Sequence, residues 1–403
     1  MKPHIVVFVH GVCGVHYHIK SPKQLINFWR DTVSDTYYAT HITALRNDPF
    51  FYQNQVIQDL GLRKIESQDA IPGNSAGAMA YVFDQMYSAA GATEKRHYYS
   101  FGWNGLHSNK EYLKAATDLF RELEQEVKNY KNHGQEPHIT VIGFSQGGNV
   151  ALNLGAAHQD LFPESNLHID QLVLLGTPLH KITYQYINDD LFGTVYNIFS
   201  SADRVQRIDL LTPSQFACSK KIQADATFQL PKKLHQIQFK MRRCAKGVVD
   251  NPTRFALTQN YKNPAIIRGR SKLLTNVSPG HAELWFFGWA LSDYRPDLII
   301  APLPAASFVP FIIHAANAHS HTNNPEHHFV FDLRPENGRA VFTRNTGNTI
   351  HLHGVLPTVD PRHLATIKET LWKYKPENYN EQTFQERLQL TYERADELHY
   401  NTA

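Results

Sequence analysis

The stretch from His138 to Ala157, HITVIGFSQGGNVALNLGAA, constrains the fold of this chain more than any other. Ile139, Val141 and Ile142 make a short apolar, β-branched run suited to a buried strand, and from Asn149 onward Val150, Ala151 and Leu154 recur at helical spacing. Between the two lies Gly143-Phe144-Ser145-Gln146-Gly147. A strand that turns straight into a helix with a serine at the apex needs small residues two places before and two after it, because a Cβ at either would collide with the turn. Ser145 is then expected in a strained conformation, its hydroxyl exposed at a helix N-terminus whose dipole favours negative charge on a reacting oxygen. Such a placement activates a nucleophile. A G-x-S-x-G pattern alone also describes an unreactive serine in a loop; the strand before it and the helix after it give it weight.

With 403 residues the chain is long enough for one large α/β domain plus an accessory module, or for two domains. A hydrophobic content of 42% with 19% charged residues excludes wholesale disorder. The net charge of +3 is too small to imply nucleic-acid binding. Cys13, Cys218 and Cys244 are far apart and odd in number, which fits neither a disulfide framework nor a metal pattern and points to a reducing compartment. His10 and Gly11 interrupt the apolar run Ile5 to Val9 before it reaches the length of a signal-peptide core, so the expectation is a cytoplasmic protein, or one exported by another route.

His4 to Val9 reads as a strand ending in His10-Gly11-Val12, which brings a backbone without side-chain bulk beside the serine turn and lets a main-chain N–H face a developing oxyanion. Phe8-Val9-His10-Gly11 followed by Gly143-Phe144-Ser145-Gln146-Gly147-Gly148 resembles the α/β-hydrolase superfamily in its lipase and esterase branch. The resemblance implies a mostly parallel central sheet with helices on both faces, shortened at its N-terminal edge. It implies an oxyanion hole from the N–H groups of Val12 and Gln146, with His10, Gly11, Phe144 and Thr177 beside the substrate. Residues 1–295 would be the hydrolase domain, with insertions at about 37–96, 179–194 and 212–270, and 296–403 a C-terminal α+β extension.

Two capping boxes mark helix starts, Ser21-Pro22-Lys23-Gln24 and Ser108-Asn109-Lys110-Glu111, the second followed by an apolar face from Leu113 to Tyr130. Residues 37–96, rich in aromatics, read either as an insertion walling the substrate site or as a surface elaboration. His97 to Trp103 reads as a strand, as does Ile169 to Leu175, which runs into Gly176-Thr177-Pro178-Leu179, a tetrapeptide that also resembles lipases. His180 to Phe192 reads as a mobile lid or a fixed cap.

Chain order in the resembled superfamily runs Ser, then an acid, then His, with the acid on a loop at the same sheet edge as the nucleophile. Asp203, just past the strand Val195 to Phe199, meets both conditions; Asp209 is its rival if that strand ends later. With 23 histidines in the chain, His281 is chosen by position: after the acid, in Ser278-Pro279-Gly280-His281, behind a last core strand expected over residues 272–277.

Residues 218–272 carry thirteen Lys or Arg against Asp225 and Asp250, and Ile237, Phe239 and Met241 alternate with Gln238, Lys240 and Arg242 as in a half-exposed strand. The basic face suits membrane headgroups or a phospholipid, though solvated lysines on an insertion are the simpler account. Pro302, Pro304 and Pro310 argue against a spanning helix over Leu298 to Ala318, which is expected in the core. A hairpin is expected over residues 329–343, then helices carrying Leu364, Ile367 and Leu371, and Phe384, Leu388, Tyr392, Ala395 and Leu398. His319-x-His321 and His351-x-His353 place paired imidazoles on one face, the geometry for zinc, without a third ligand at fixed spacing.

The expected activity is serine-dependent cleavage of carboxylic esters, lipid esters first, without a cofactor. The alternatives are an acyl-protein thioesterase or short-chain carboxylesterase, and a hydrolase fold kept as a catalytically silent binding module.

Overall fold

The apolar, β-branched runs line up side by side in one sheet. The computed structural model describes residues 2–13, 31–34, 36–66, 71–207, 218–244, 274–276, 278–289, 300–319, 324–334, 339–346, 349–355 and 360–402. Its strands are β1 (His4–Val9), β2 (Gly61–Lys64), β3 (Arg96–Gly102), β4 (His138–Phe144), β5 (Ile169–Leu175), β6 (Leu179–His180), β7 (Phe192–Ser200), β8 (Cys218–Ser219), β9 (Leu234–Cys244), β10 (Leu274–Asn276), β11 (His328–Arg334), β12 (Arg339–Thr346) and β13 (Thr349–Val355). The sheet order is β13-β12-β11-β9-β7-β5-β4-β1-β3-β2, with β10 on the end of β9 and a separate β6-β8 ribbon. From β3 to β11 every pairing along this path is parallel; β2, β12 and β13 are antiparallel edges.

The helices are α1 (Tyr37–Asn47), α2 (Ser75–Ala89), α3 (Asn109–Asn132), α4 (Gln146–Leu161), α5 (His281–Trp285), α6 (Val309–Ala318), α7 (Pro361–Leu371) and α8 (Glu381–Thr402), besides short 3-10 and single-turn pieces. All six residues of β1 are buried, as a parallel strand covered on both faces requires. Val6 and Phe8 enter one core with Met79 and Phe83 of α2, Phe311 and Ile312 of α6 and Ile367 of α7. Ile5, Val7 and Val9 enter the other with Leu119 and Phe120 of α3 and Val150 and Leu154 of α4. Helices therefore cover both faces, and α3 starts where expected, with the Ser108 hydroxyl accepting from the Glu111 N–H.

Several expectations change. The stretch 37–96 is no mere elaboration, since α2 within it is a core helix and β2 pairs with β3. β9 keeps the expected alternation, with Ile237, Phe239 and Met241 buried and Gln238 and Lys240 half-buried, but it lies inside the central sheet, between β7 and β11. β9 takes the place beside β7, and of the strand expected before His281 the described residues 274–276 form β10, antiparallel to the end of β9. In the C-terminal part, β11 continues the sheet parallel to β9 and forms the expected hairpin with β12. The apolar, proline-bearing stretch ends in α6, buried as expected. Asp360 caps α7, and α8 packs Phe384, Leu388 and Tyr392 against the cluster around α1, while Leu398 is exposed. Residues 180–192 are packed, with the Thr183 hydroxyl donating to Asn149 and Ile187 buried. The helix expected after residue 21, Asp209, residues 245–272 and His321 lie outside the described residues.

Three buried histidines make the fold acid-sensitive. Burial pushes His4 and His10 down to about 3 and His235 to about 4, helped at His4 by neighbouring His138 and at His10 by Arg46. Their folded values lie below the unfolded value of about 6.5, so the unfolded chain takes up the proton first. Stability is complete above that value and is lost as pH falls, by about 2 kcal/mol per histidine at about pH 5. The thermal unfolding midpoint is expected to drop steeply between about pH 7.5 and about pH 5; a flat midpoint would contradict the neutral buried rings.

Candidate active site

The carboxyl ends of β1, β4, β5 and β7 meet at one edge of the sheet, and the expected serine, acid and histidine meet there too. Ser145 follows β4 directly, its N–H donating to the Leu175 carbonyl at 3.0 Å, and α4 begins at the next residue. Its backbone sits at φ 52° and ψ −128°, a region rarely occupied by a residue with a side chain. The crowding expected at the flanking glycines is present. A Cβ on Gly143 would stand 2.6 Å from the Gly147 carbonyl oxygen, and one on Gly147 would overlap the main-chain oxygen of His10. Gly11 lies against the elbow, where an added Cβ would be 2.9 Å from the Cβ of Ser145.

The Ser145 side chain does not cap α4; its Oγ lies 3.0 Å from Nε2 of His281. Nδ1 of that ring is 2.9 Å from Oδ2 of Asp203. Asp203 is fully buried, and its Oδ1 accepts the N–H groups of Val205 at 2.9 Å and Gln206 at 3.4 Å. With the carboxylate as acceptor, the neutral imidazole carries its proton on Nδ1 and turns the Nε2 lone pair to the serine hydroxyl. The histidine loop is tied to the acid loop by the Ser200 hydroxyl donating to the Pro279 carbonyl at 2.6 Å and by Ser201 to Ser278 at 3.1 Å.

The aromatic residues beneath the histidine form a platform. Phe144 stacks on Trp285 with centroids 5.1 Å apart and lies 4.8 Å from the His281 ring. Phe144, expected beside the substrate, is 2% exposed and supports the imidazole instead. Gly176, noted in the sequence only as part of a lipase-like tetrapeptide, lies against the candidate acid and histidine. Its φ is +60°, and an added Cβ would stand 2.8 Å from Leu284 and 3.3 Å from Oδ2 of Asp203. The left-handed turn and the lack of space together require glycine there.

The remaining expected residues divide. Gln146 occupies the first turn of α4, where main-chain N–H groups have no acceptor within the helix, and its side-chain oxygen accepts from Asn149 at 2.7 Å. Val12 follows Gly11 on the loop beside the elbow, its side chain against the α3/α4 core. His10, expected beside the substrate, is turned to main chain. Its Nδ1 is 2.7 Å from the Gly11 carbonyl, its Nε2 accepts the Trp103 N–H at 3.2 Å, and it is fully buried. It braces the loop because its hydrogen-bonding capacity is taken up by main chain. Thr177 is fully buried as well, packed where a side chain on Gly148 would fall, so it backs the elbow from behind. Cys13 lies on the same loop, and desolvation pushes its thiol up to about 12.

Among the described residues no group of three or more His, Cys, Asp or Glu is arranged to hold a metal ion, and no helix is long and apolar enough to cross a membrane. No protein-family model matches the chain, and no curated protein matches its sequence. What can be said of the class is an α/β architecture with a serine, a histidine and an aspartate hydrogen-bonded in series at the carboxyl edge of a mostly parallel sheet.

Proposed function

We propose that this protein is a serine hydrolase of the α/β-hydrolase type that cleaves carboxylic esters. One observation carries the reading: the series Asp203 Oδ2, His281 and Ser145 Oγ, closed by hydrogen bonds of 2.9 and 3.0 Å, ends on a strained serine at a helix N-terminus. In the proposed reaction His281 Nε2 takes the hydroxyl proton as Ser145 Oγ attacks the ester carbonyl, and Asp203 stabilises the imidazolium. The N–H groups of Gln146 and Val12 stabilise the tetrahedral oxyanion, each donor worth roughly 3 to 4 kcal/mol in comparable sites. The protonated His281 gives its proton to the departing alcohol, and water then cleaves the acyl-enzyme with the same base. Every step is carried by side chains and main chain of this protein.

Lipid esters are the proposed substrate class, on the lipase-like Gly176-Thr177-Pro178 and the basic residues of 218–272, which suit a peripheral contact with a membrane surface. A silent binding module has no use for a strained serine held within hydrogen-bond reach of a base, so the geometry favours catalysis. Intact mass after exposure to a fluorophosphonate tests this. Wild type is expected to gain one adduct and Ser145→Ala none; a folded wild type that stays unlabelled, with or without liposomes, would refute the proposal. A panel of esters graded in acyl length then separates lipid esters from short-chain esters and thioesters.

A further inference from the structure

β7 is held at each end by a lysine whose ammonium donates to main-chain carbonyls. At its beginning, Lys233 Nζ donates to the carbonyls of Asp189 at 2.7 Å and Phe192 at 2.8 Å. At its end, Lys220 Nζ donates to Ser200 O at 2.7 Å, to Ser201 O at 3.2 Å and to Asp203 O. The second set of acceptors is the turn that carries the buried aspartate. An ammonium has three donors in rotatable array, and three carbonyls of one short turn meet it. Hydrogen bonds from a charged donor are stronger than neutral ones and offset the entropy lost in holding a long side chain still.

Lys220 is itself fixed. Its carbonyl accepts from Asn197 Nδ2 of β7 at 3.0 Å, and Cys218, two residues before it, donates through Sγ to the Gln206 carbonyl at 3.3 Å. Gln206 in turn donates to the Thr177 carbonyl at 2.9 Å, and Gln236 of β9 binds both the N–H and the carbonyl of Ile222. The strap 218–222 thus joins the turn after β5, the turn after β7 and the interior of β9.

We propose that Lys220 is a positioning residue of the hydrolase. By gathering the carbonyls of the acid turn onto one cation it holds the Asp203 carboxylate against His281, and through it the imidazole against Ser145. This rests on the serine-hydrolase reading. It gives a role to one lysine of the basic segment that sequence alone counted as surface charge.

The test is the second-order rate of fluorophosphonate labelling, with the melting temperature of each variant measured beside it. Lys220→Met is expected to label about tenfold to a hundredfold more slowly than wild type, the effect of a small misplacement of reacting groups. Lys233→Met removes the same kind of clamp at the other end of β7 and is expected to label within about twofold of wild type. In an Asp203→Asn background Lys220→Met is expected to change the rate by no more than about twofold, since its effect passes through that carboxylate. Lys220→Gln keeps an uncharged amide donor group and covers the case in which the methionine variant does not fold; it is expected to fall between wild type and methionine. A labelled wild type with Lys220→Met or Lys220→Gln at the same rate overturns the role of Lys220 alone. So does equal slowing by Lys233→Met, or full additivity with Asp203→Asn. An unlabelled wild type overturns the hydrolase reading itself, so the two failures are distinct.

Discussion

Ser145→Ala is expected to lower kcat for ester hydrolysis by about a millionfold while the protein stays folded, the scale on which a serine nucleophile matters in comparable hydrolases. The methyl group keeps the Cβ that already tolerates the φ of 52° at this position, and the hydroxyl it replaces makes no capping bond to α4. Stability is therefore expected to change by less than about 1 kcal/mol. What disappears is the only atom of residue 145 within reach of His281 Nε2. Rate over the uncatalysed reaction would persist from the oxyanion N–H groups alone, by a factor of about a thousand. Steady-state hydrolysis of a chromogenic ester by the purified variant checks this, and activity within tenfold of wild type would move the nucleophile elsewhere.

The next largest loss is expected from Asp203→Asn, about ten-thousandfold in kcat with the fold retained. The variant keeps an oxygen that can go on accepting from Val205 and Gln206, so the acid turn retains its local hydrogen bonds. An amide nitrogen turned to Nδ1, however, offers a donor where the imidazole needs an acceptor. The ring then carries its proton on Nε2 and points it at Ser145, where a lone pair is required. The rate loss with an unchanged melting temperature separates this from unfolding; a drop smaller than tenfold would leave Asp203 a structural ion only. The two substitutions act on one series, so the double variant is expected to be no slower than Ser145→Ala alone.

Much of the site was legible because its demands are local. The glycines around Ser145 answer to sterics within a few residues, and strand-then-helix patterning locates the turn. Position after a strand end picked out Asp203, and a Pro-Gly turn behind a strand picked out His281 from among 23 histidines. The resemblance put His10 beside the substrate, and only the fold brings Trp103 up to use its ring. Gly176 and Lys220 were missed because their neighbours, Asp203, Leu284 and the carbonyls of the acid turn, are distant in sequence or belong to main chain, which carries no pattern of its own.

The same division holds for the whole chain. By itself the sequence determined the strand–serine–helix element, the alternation of buried strands with amphipathic helices that makes an α/β protein, and the helix cap at Ser108, since each follows from the spacing of neighbouring residues. Strand order was decided only in three dimensions. That β9 lies beside β7, that β11 continues the sheet beyond it and that α2 belongs to the core depend on which apolar faces find each other across long stretches of chain. Pairing is a property of that assembled sheet, so whether a strand lies at its edge or inside it is settled only when a distant strand such as β11 finds its free side.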